Sequence, residues 1–506
     1  MKGKKIVSTL LALLLLANLP VSALAAEWDI GKGDITVNAE SGGQTVRQGG
    51  GAAVPDSAPV ITGTSKENNV TINAEKDQTA NVTLSDVNID VSSEGKAAVT
   101  TTGEGNVSIE LNGDNTLKSG KGHAGLEKKN GGSLTIADED KNGKLTAEGG
   151  KYGAGIGGGD QGAGSGITIT GGEIKATGGQ YGAGIGGGKG AGSDITISGG
   201  EVNATGGTSG AGIGGGYNGN GSDITITDGE VNATGGKYGA GIGGGEYGIG
   251  KDIIITGGEV NATGGRFSAG IGGGSRGTGS DITISGGEVN ASGGVNGAGI
   301  GGGLRSKGKD ITVSGDTKLK VQGGDEDHYD GAGAGIGDGG SNAYGTKILG
   351  AEVEPDTSGL TTGRIEYYAP GADMEKDKPT STTVGASSQP EKPTDPGADA
   401  PLYRVTDQDG KDIAHKAERK DGVLTVTVDA DFAILTGKLS SIDTLKRQGI
   451  EKIVFVTNKA ASTFQAADLL EKGASSDEYR LTHDGTTVTF VVSEKKTDVS
   501  GILIQP

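Results

Sequence analysis

One unit recurs through the middle of the chain and leaves few folds open. The motif GAGIGGG, or a close variant, places its Ile at Ile156, Ile185, Ile213, Ile242, Ile271 and Ile300, at intervals of 29, 28, 29, 29 and 29 residues. A second motif, [DG]ITI[TS], begins its apolar pair at Ile167, Ile195, Ile224, Ile253, Ile282 and Ile311. A third, GE[VI]NATGG or similar, recurs with Ile174, Val202, Val231, Val260 and Val289. Self-similarity at a fixed period of this length is the mark of a solenoid. Within Asp194-Ile195-Thr196-Ile197-Ser198 apolar and polar residues alternate with period two, which makes a strand with one buried face. A helix would lose about 1 kcal/mol at each interior Gly. The expected fold class is all-β: a right-handed parallel β-helix with three strands per coil of about 29 residues. Successive coils would stack about 4.8 Å apart and align equivalent Ile and Val residues in interior columns. Gly clusters such as Gly186-Gly187-Gly188 supply the corners.

The regular coils run from about Gly149 to Gly340 inside a β-helix expected over Ala26–Tyr368. Alternating strands with looser spacing precede them, at Asp34–Val37, Val70–Ile72, Val82–Leu84, Val107–Leu111 and Leu134–Ile136. These irregular coils should cap one end of the stack, which would otherwise template aggregation. Trp28, the single Trp, is expected in that cap. Residues 1–25 read as a signal peptide: Lys2, Lys4 and Lys5, an apolar run Ile6–Ala17, and the cleavage site Ala23-Leu24-Ala25. A secreted or extracellular protein is therefore expected, with no membrane contact after cleavage.

Downstream, Ala369–Pro401 has the Pro, Thr, Ser, Lys and Asp content of a disordered linker. Leu402–Pro506 reads as a small α/β domain. Its expected strands are Val423–Val428, Lys452–Val456, Tyr479–Leu481 and Val488–Val492, with a turn at Asp484-Gly485. Its expected helices are Ser440–Gln448 and about Phe464–Lys472, the second capped by Ser462 and Gln465 and ended by Gly473.

The chain has no cysteine, so a disulfide framework is excluded. A formal charge of −19 argues against nucleic acid and against anionic membranes as partners. Aromatic residues make up 3% of the chain, so the interior must be built from small aliphatic side chains.

Function is expected in the outward columns and in the places where the repeat breaks. Thr196 with Ser198, Thr225 with Thr227, Thr283 with Ser285 and Thr312 with Ser314 form a hydroxyl array interrupted by Ile254. Such an array could meet an ordered polysaccharide or ice, or simply suit a solvent-facing strand. Asn203, Asn232, Asn261 and Asn290 form a ladder suited to coil-to-coil hydrogen bonds. Asp194, Asp223, Asp252, Asp281 and Asp310 form one acidic column and Glu173, Glu201, Glu230, Glu259 and Glu288 another, facing solvent or cations. Tyr152, Tyr181, Tyr238 and Phe267 stand just before the corner motif, and Tyr217 and Tyr247 follow it. These rings could stack on sugars or cover the apolar edge of the corner. The segment Asp325-Glu326-Asp327-His328-Tyr329-Asp330 is an insertion, because Ile336 follows Ile300 by 36 residues. It is a candidate oligosaccharide site, with calcium at Asp325, Asp327 and Asp330 the only cofactor suggested.

Catalysis has little support. Pectinolytic β-helices resemble this architecture, but the polygalacturonase type needs an Asp pair, a Gly-His-Gly and an Arg-Ile-Lys. The nearest fragments are Gly122-His123-Ala124 and Arg364-Ile365-Glu366.

The stretch Leu111-Asn112-Gly113-Asp114-Asn115-Thr116-Leu117, the segment His123-Ala124-Gly125-Leu126 and the ITI–GGEVNATGG–GAGIGGG unit resemble secreted Gly-rich parallel β-helix proteins of Gram-positive anaerobes, of the carbohydrate-binding-domain type. The resemblance covers about two-thirds of the chain. It implies a glycan-binding or cell-surface role, some relatives being described as binding acidic plant polysaccharide. No LPxTG-type sorting signal is present, so covalent wall anchoring by that route is not expected. The leading expectation is a secreted, non-enzymatic β-helix that binds extracellular polysaccharide or cell-wall glycan. The competing ones are an adhesive surface protein with the β-helix as spacer, and a lyase- or hydrolase-like enzyme.

Overall fold

The period-two alternation becomes burial in the computed structural model. Ile195 and Ile197 are buried, while Thr196 between them is half-buried. The structure describes residues 26–343, 346–385, 403–408, 410–420, 422–447, 450–470, 477–485, 487–492 and 495–496. The signal-peptide reading, at residues 1–25, lies outside them.

Equivalent residues of successive coils pair in parallel and in register. One ladder runs Leu134, Ile167, Ile195, Ile224, Ile253, Ile282, Ile311. A second runs Leu145, Ile174, Val202, Val231, Val260, Val289, Leu319, Ile365. The third holds the corner Ile residues, from Leu126 through Ile156 to Ile300 and Ile336. The insertion therefore leaves the register intact. All three columns meet in one continuous apolar core. The first two ladders fuse where a coil has no break, as in the 14-residue strand Gly192–Thr205.

Corner packing explains the Gly content. Gly186 has φ +125°, and a Cβ there would lie 2.2 Å from the carbonyl oxygen of Gly214 in the next coil. At Gly207 a Cβ would lie 1.6 Å from the Gly179 carbonyl oxygen. Coils this close exclude any side chain at the contact.

Both ends of the stack are closed. At the N-terminal end Ile35–Glu40 pairs antiparallel with Gly43–Gln48, which pairs with Val54–Pro55. Trp28 packs against the core there, and its indole donates to the buried carboxylate of Asp56 at 2.8 Å. At the C-terminal end Arg364–Tyr368 joins the second ladder and pairs antiparallel with Ser381–Val384. This corrects the linker expected from Ala369. Residues 369–385 belong to the cap, where Gln322 donates to the carbonyls of Ala369 (2.6 Å) and Ala372 (2.9 Å). Composition points to a linker because these backbone groups find partners on a neighbouring strand, without an apolar pattern of their own. Residues 386–401 lie outside the described set.

The C-terminal unit has its own core. One sheet holds Arg404–Thr406, Phe432–Lys438, Glu478–Asp484, Thr487–Val492 and Lys495–Lys496, and the other Lys416–Lys420, Val423–Thr427, Lys452–Val456 and Ala461–Gln465. Leu439–Arg447 is helical, so Ser440 lies inside its first turn. Gln448 and Gly449 lie outside the described residues. The second expected helix needs correction. Ala461–Gln465 is a strand paired with Lys452–Val456, and the helix occupies Ala466–Leu470. Ser462 and Gln465 are thus not its capping pair. Phe464 is buried in alternation with its neighbours, and a period of two over five residues prevails over the cap signal. The expected end of that helix, Lys472 followed by Gly473, lies outside the described residues.

Candidate functional site

Each coil makes two corner turns, and the structure brings them together on one edge. The first turn carries the residue four before the corner Ile, and the second the residue four after it. The amide of Tyr217 donates to the carbonyl of Tyr181 (2.8 Å), Ser275 to Tyr238 (2.9 Å) and Leu304 to Phe267 (2.8 Å). The second turn of each coil thus sits on the first turn of the coil before, and the two sets of aromatic residues interleave.

The rings touch in sequence. Tyr152 and Tyr181 stack at 5.3 Å between centroids, Tyr181 meets Tyr217 edge-on at 5.6 Å, and Tyr217 meets Tyr247 at 6.1 Å. Tyr238 and Phe267 form a further stack at 5.9 Å. Most of these rings are half-buried, but Tyr247 is 47% exposed and is held at φ +63°. A left-handed conformation is costly for a large side chain, so here the turn, not the residue, sets the backbone.

Cations line this edge. The ammonium groups of Lys121, Lys151 and Lys189 lie 5.7, 5.3 and 5.8 Å from the Tyr152 ring centre. Lys237 stands 4.9 Å from Tyr238, Arg266 5.0 Å from Phe267 and Arg276 5.9 Å from Tyr247. Four of these cations, Lys121, Lys151, Lys237 and Arg266, share one repeat position, five residues before the corner Leu126, Ile156, Ile242 and Ile271, where other coils carry Gln180, Thr208 and Val295.

The insertion lies on the same edge, at its C-terminal end. Its Asp330 is buried and takes a two-pronged pair from Arg305, at 2.8 and 3.0 Å. Asp327 accepts from the amides of Tyr329 (2.8 Å) and Asp330 (2.7 Å). Burial works against its charge, but those amides and the nearby Arg266 hold its carboxyl below the usual carboxylate range. Glu326 pairs with Lys347 at 2.9 Å, and the Tyr329 ring is 68% exposed beside His328. The carboxylates of Asp325, Asp327 and Asp330 do not converge. Among the described residues no group of three or more His, Asp or Glu is placed to hold a metal ion. Arg305 engages both oxygens of Asp330, and the two amides share Oδ1 of Asp327.

At the opposite end, Nδ1 of His123 lies 2.6 Å from the buried carboxylate of Glu127, which Lys129 also meets at 2.8 Å. Arg364-Ile365-Glu366 belongs to the C-terminal end of the stack, so the two polygalacturonase-like fragments are many coils apart.

The remaining columns have structural explanations. The Asn amides donate from coil to coil, Asn232 to Asn203 (3.2 Å), Asn261 to Asn232 (2.9 Å) and Asn290 to Asn261 (2.8 Å). The Asp column marks a backbone requirement: Asp194, Asp223, Asp252, Asp281 and Asp310 have φ between +52° and +55°, and Gly166 takes this place in the preceding coil. Asp is among the few residues other than Gly that visit this region readily. The Glu column ends in Lys144, 2.8 Å from Glu173, and in Lys318, 3.7 Å from Glu288. In the hydroxyl array Ile254 is 41% exposed, and Thr312 pairs through its backbone with Asp356.

A family model described as a Beta helix repeat matches residues 141–160, 167–189, 195–217, 224–246, 253–275 and 282–304. The chain is a parallel β-helix protein. No curated protein and no solved structure matches it. The six matched segments of this β-helix span the corner Ile residues from Ile156 to Ile300 and include Tyr152, Tyr181, Tyr217, Tyr238 and Phe267, with Tyr247 just outside them. Among the described residues no helix is long and apolar enough to cross a membrane.

Proposed function

We propose that this β-helix is a secreted, non-enzymatic protein that binds an extended polysaccharide along its aromatic edge. The observation that carries the reading is the run of contacting rings Tyr152, Tyr181, Tyr217 and Tyr247, flanked by cations that vary where the fold does not require them. Ring faces suit the C–H faces of sugars, and Lys and Arg suit hydroxyl, carboxylate or sulfate oxygens. From Leu126 to Ile336 the edge crosses seven coil steps. At about 4.8 Å each that is roughly 34 Å, long enough for several sugar units.

The test is retention of the protein on immobilised pectin, cellulose, mucin and peptidoglycan. Retention on at least one of them is expected. The double substitution Tyr181→Ala and Tyr238→Ala should weaken it at least tenfold with the circular dichroism spectrum unchanged. On an anionic polymer, retention should also fall with added salt. No retention on any of the four, or full retention by the double variant, rejects the reading.

A second reading, cleavage of the bound chain, is favoured by one observation. The buried Glu127 holds Nδ1 of His123 at one end of the same edge, an arrangement that can orient an imidazole for proton transfer. Reducing ends released from a retained polymer, and lost in His123→Ala, would establish it.

A further inference from the structure

The β-helix also carries a concave feature, opposite in chemistry to the cationic edge. A cleft of about 640 Å³ opens between the segment bearing Glu352, Glu354 and Pro355 and the hairpin bearing Tyr367, Tyr368 and Ser381. It arises from the way the stack stops. The interior column Ala204, Ala233, Ala262, Ala291, Val321 ends in Tyr367. A tyrosine cannot occupy the space of an alanine in that column, so its ring lies at the open end against Gly335. A Cβ on Gly335 would come within 2.9 Å of that ring.

The walls of the cleft are rich in acceptors. The Glu352 carboxylate is engaged by the amides of Gly335 and Ile336, whereas Glu354 is exposed and has no hydrogen bond or ion pair among the described residues. Among the described residues no Lys or Arg lines the cleft. Burial, together with the charges of Glu352 and Glu354, pushes the Tyr367 hydroxyl up to about 12. The site therefore combines an aromatic wall, a free carboxylate and a negative field, in a volume within the range of roughly 300–1,000 Å³ usual for small-ligand sites.

We propose that this cleft binds a single pyranose ring carrying hydroxyl or ammonium donors, and rejects uronates. The apolar face of the sugar would rest on Tyr367, and its donors would reach Glu354. An ammonium group gains further from two carboxylates and a tyrosine face, while a ligand carboxylate would be repelled by both glutamates. The inference is independent of the aromatic edge, because it uses none of its residues.

The experiment is calorimetric titration of the full chain with D-glucosamine, methyl β-D-glucopyranoside and D-galacturonate. Glucosamine should bind saturably, the neutral glycoside more weakly, and galacturonate not at all over the same concentrations. Glu354→Gln should lower glucosamine affinity about tenfold, since it removes a charge-assisted contact without removing any described structural partner. Tyr181→Ala should leave this binding unchanged while weakening retention on polysaccharide, which separates the two sites. No saturable binding of glucosamine or the glycoside, equal affinity in Glu354→Gln, or equal binding of galacturonate overturns the proposal.

Discussion

The carboxylate of Glu352 lies 2.7 Å from the amide nitrogen of Gly335, with its second oxygen 3.1 Å from that of Ile336. In earlier coils the equivalent amides donate to carbonyls of the following coil, as Gly270 does to Ala298 (3.1 Å) and Ile271 to Gly299 (3.0 Å). One side chain thus replaces the two backbone acceptors that a further coil would bring. An unsatisfied amide at the end of a stack is costly, and an open sheet edge invites pairing with another chain.

Replacing Glu352 with Ala should therefore loosen the C-terminal end of the stack without disturbing its middle. The expected loss is on the order of 1–3 kcal/mol, that of charge-assisted hydrogen bonds to backbone amides. Hydrogen exchange reads it locally: Gly335 and Ile336 should lose protection, while Ile213 and Ile242 keep theirs. Unchanged protection at Gly335 would mean that the carboxylate is not the acceptor that matters.

The Asp column makes a second prediction, because its conformational and electrostatic explanations diverge. Asp223 has φ +53°, and its column neighbours Asp194 and Asp252 carry the same charge and similar dihedrals. Asp223→Ala should destabilise the β-helix by about 1 kcal/mol, since Ala tolerates the left-handed region poorly. Asp223→Gly should be close to neutral, as Gly166 already shows in its own coil. Asp223→Asn keeps the conformational tolerance and removes the charge, and should be neutral or slightly stabilising. Thermal melting of the three variants checks the order. A destabilised Asp223→Asn would point instead to a role for the charge.

This column also shows what is legible in the sequence. The three apolar ladders and their register can be read directly, because period two and period 29 survive in the residue types themselves. The Asp column is just as visible as a pattern but reads as charge, and the dihedral that selects Asp leaves no trace separate from its identity. The aromatic edge is only half visible. Tyr181 and Tyr217 are 36 residues apart, off the repeat period, and they meet because the second turn of one coil folds over the first turn of the coil before. Sequence spacing cannot show that fold-back. The insertion is legible as a cluster of carboxylates, but the pairing of Asp330 with Arg305, 25 residues earlier, is not.

The small domain offers a pH prediction. His483 is fully buried between the hydroxyls of Thr457, 3.2 Å from Nδ1, and Ser462, 2.8 Å from Nε2, with the Phe455 ring 4.8 Å away. Burial, with no carboxylate partner among the described residues, lowers its pKa from 6.5 to about 4, so the imidazole is neutral in the folded domain near neutral pH. The unfolded chain then binds more protons than the folded one between these two values. The stabilising contribution is therefore complete above pH 6.5 and is lost as the pH falls toward 4. A shift of this size corresponds to roughly 3 kcal/mol at most, with the greater part gone by pH 4.5. Urea unfolding at pH 7.5 and at pH 4.5, followed by hydrogen exchange in the strand Lys452–Val456, should show that loss. In His483→Gln the difference between the two pH values should shrink by a comparable amount. An unchanged difference in that variant would assign the pH dependence to other groups in the domain.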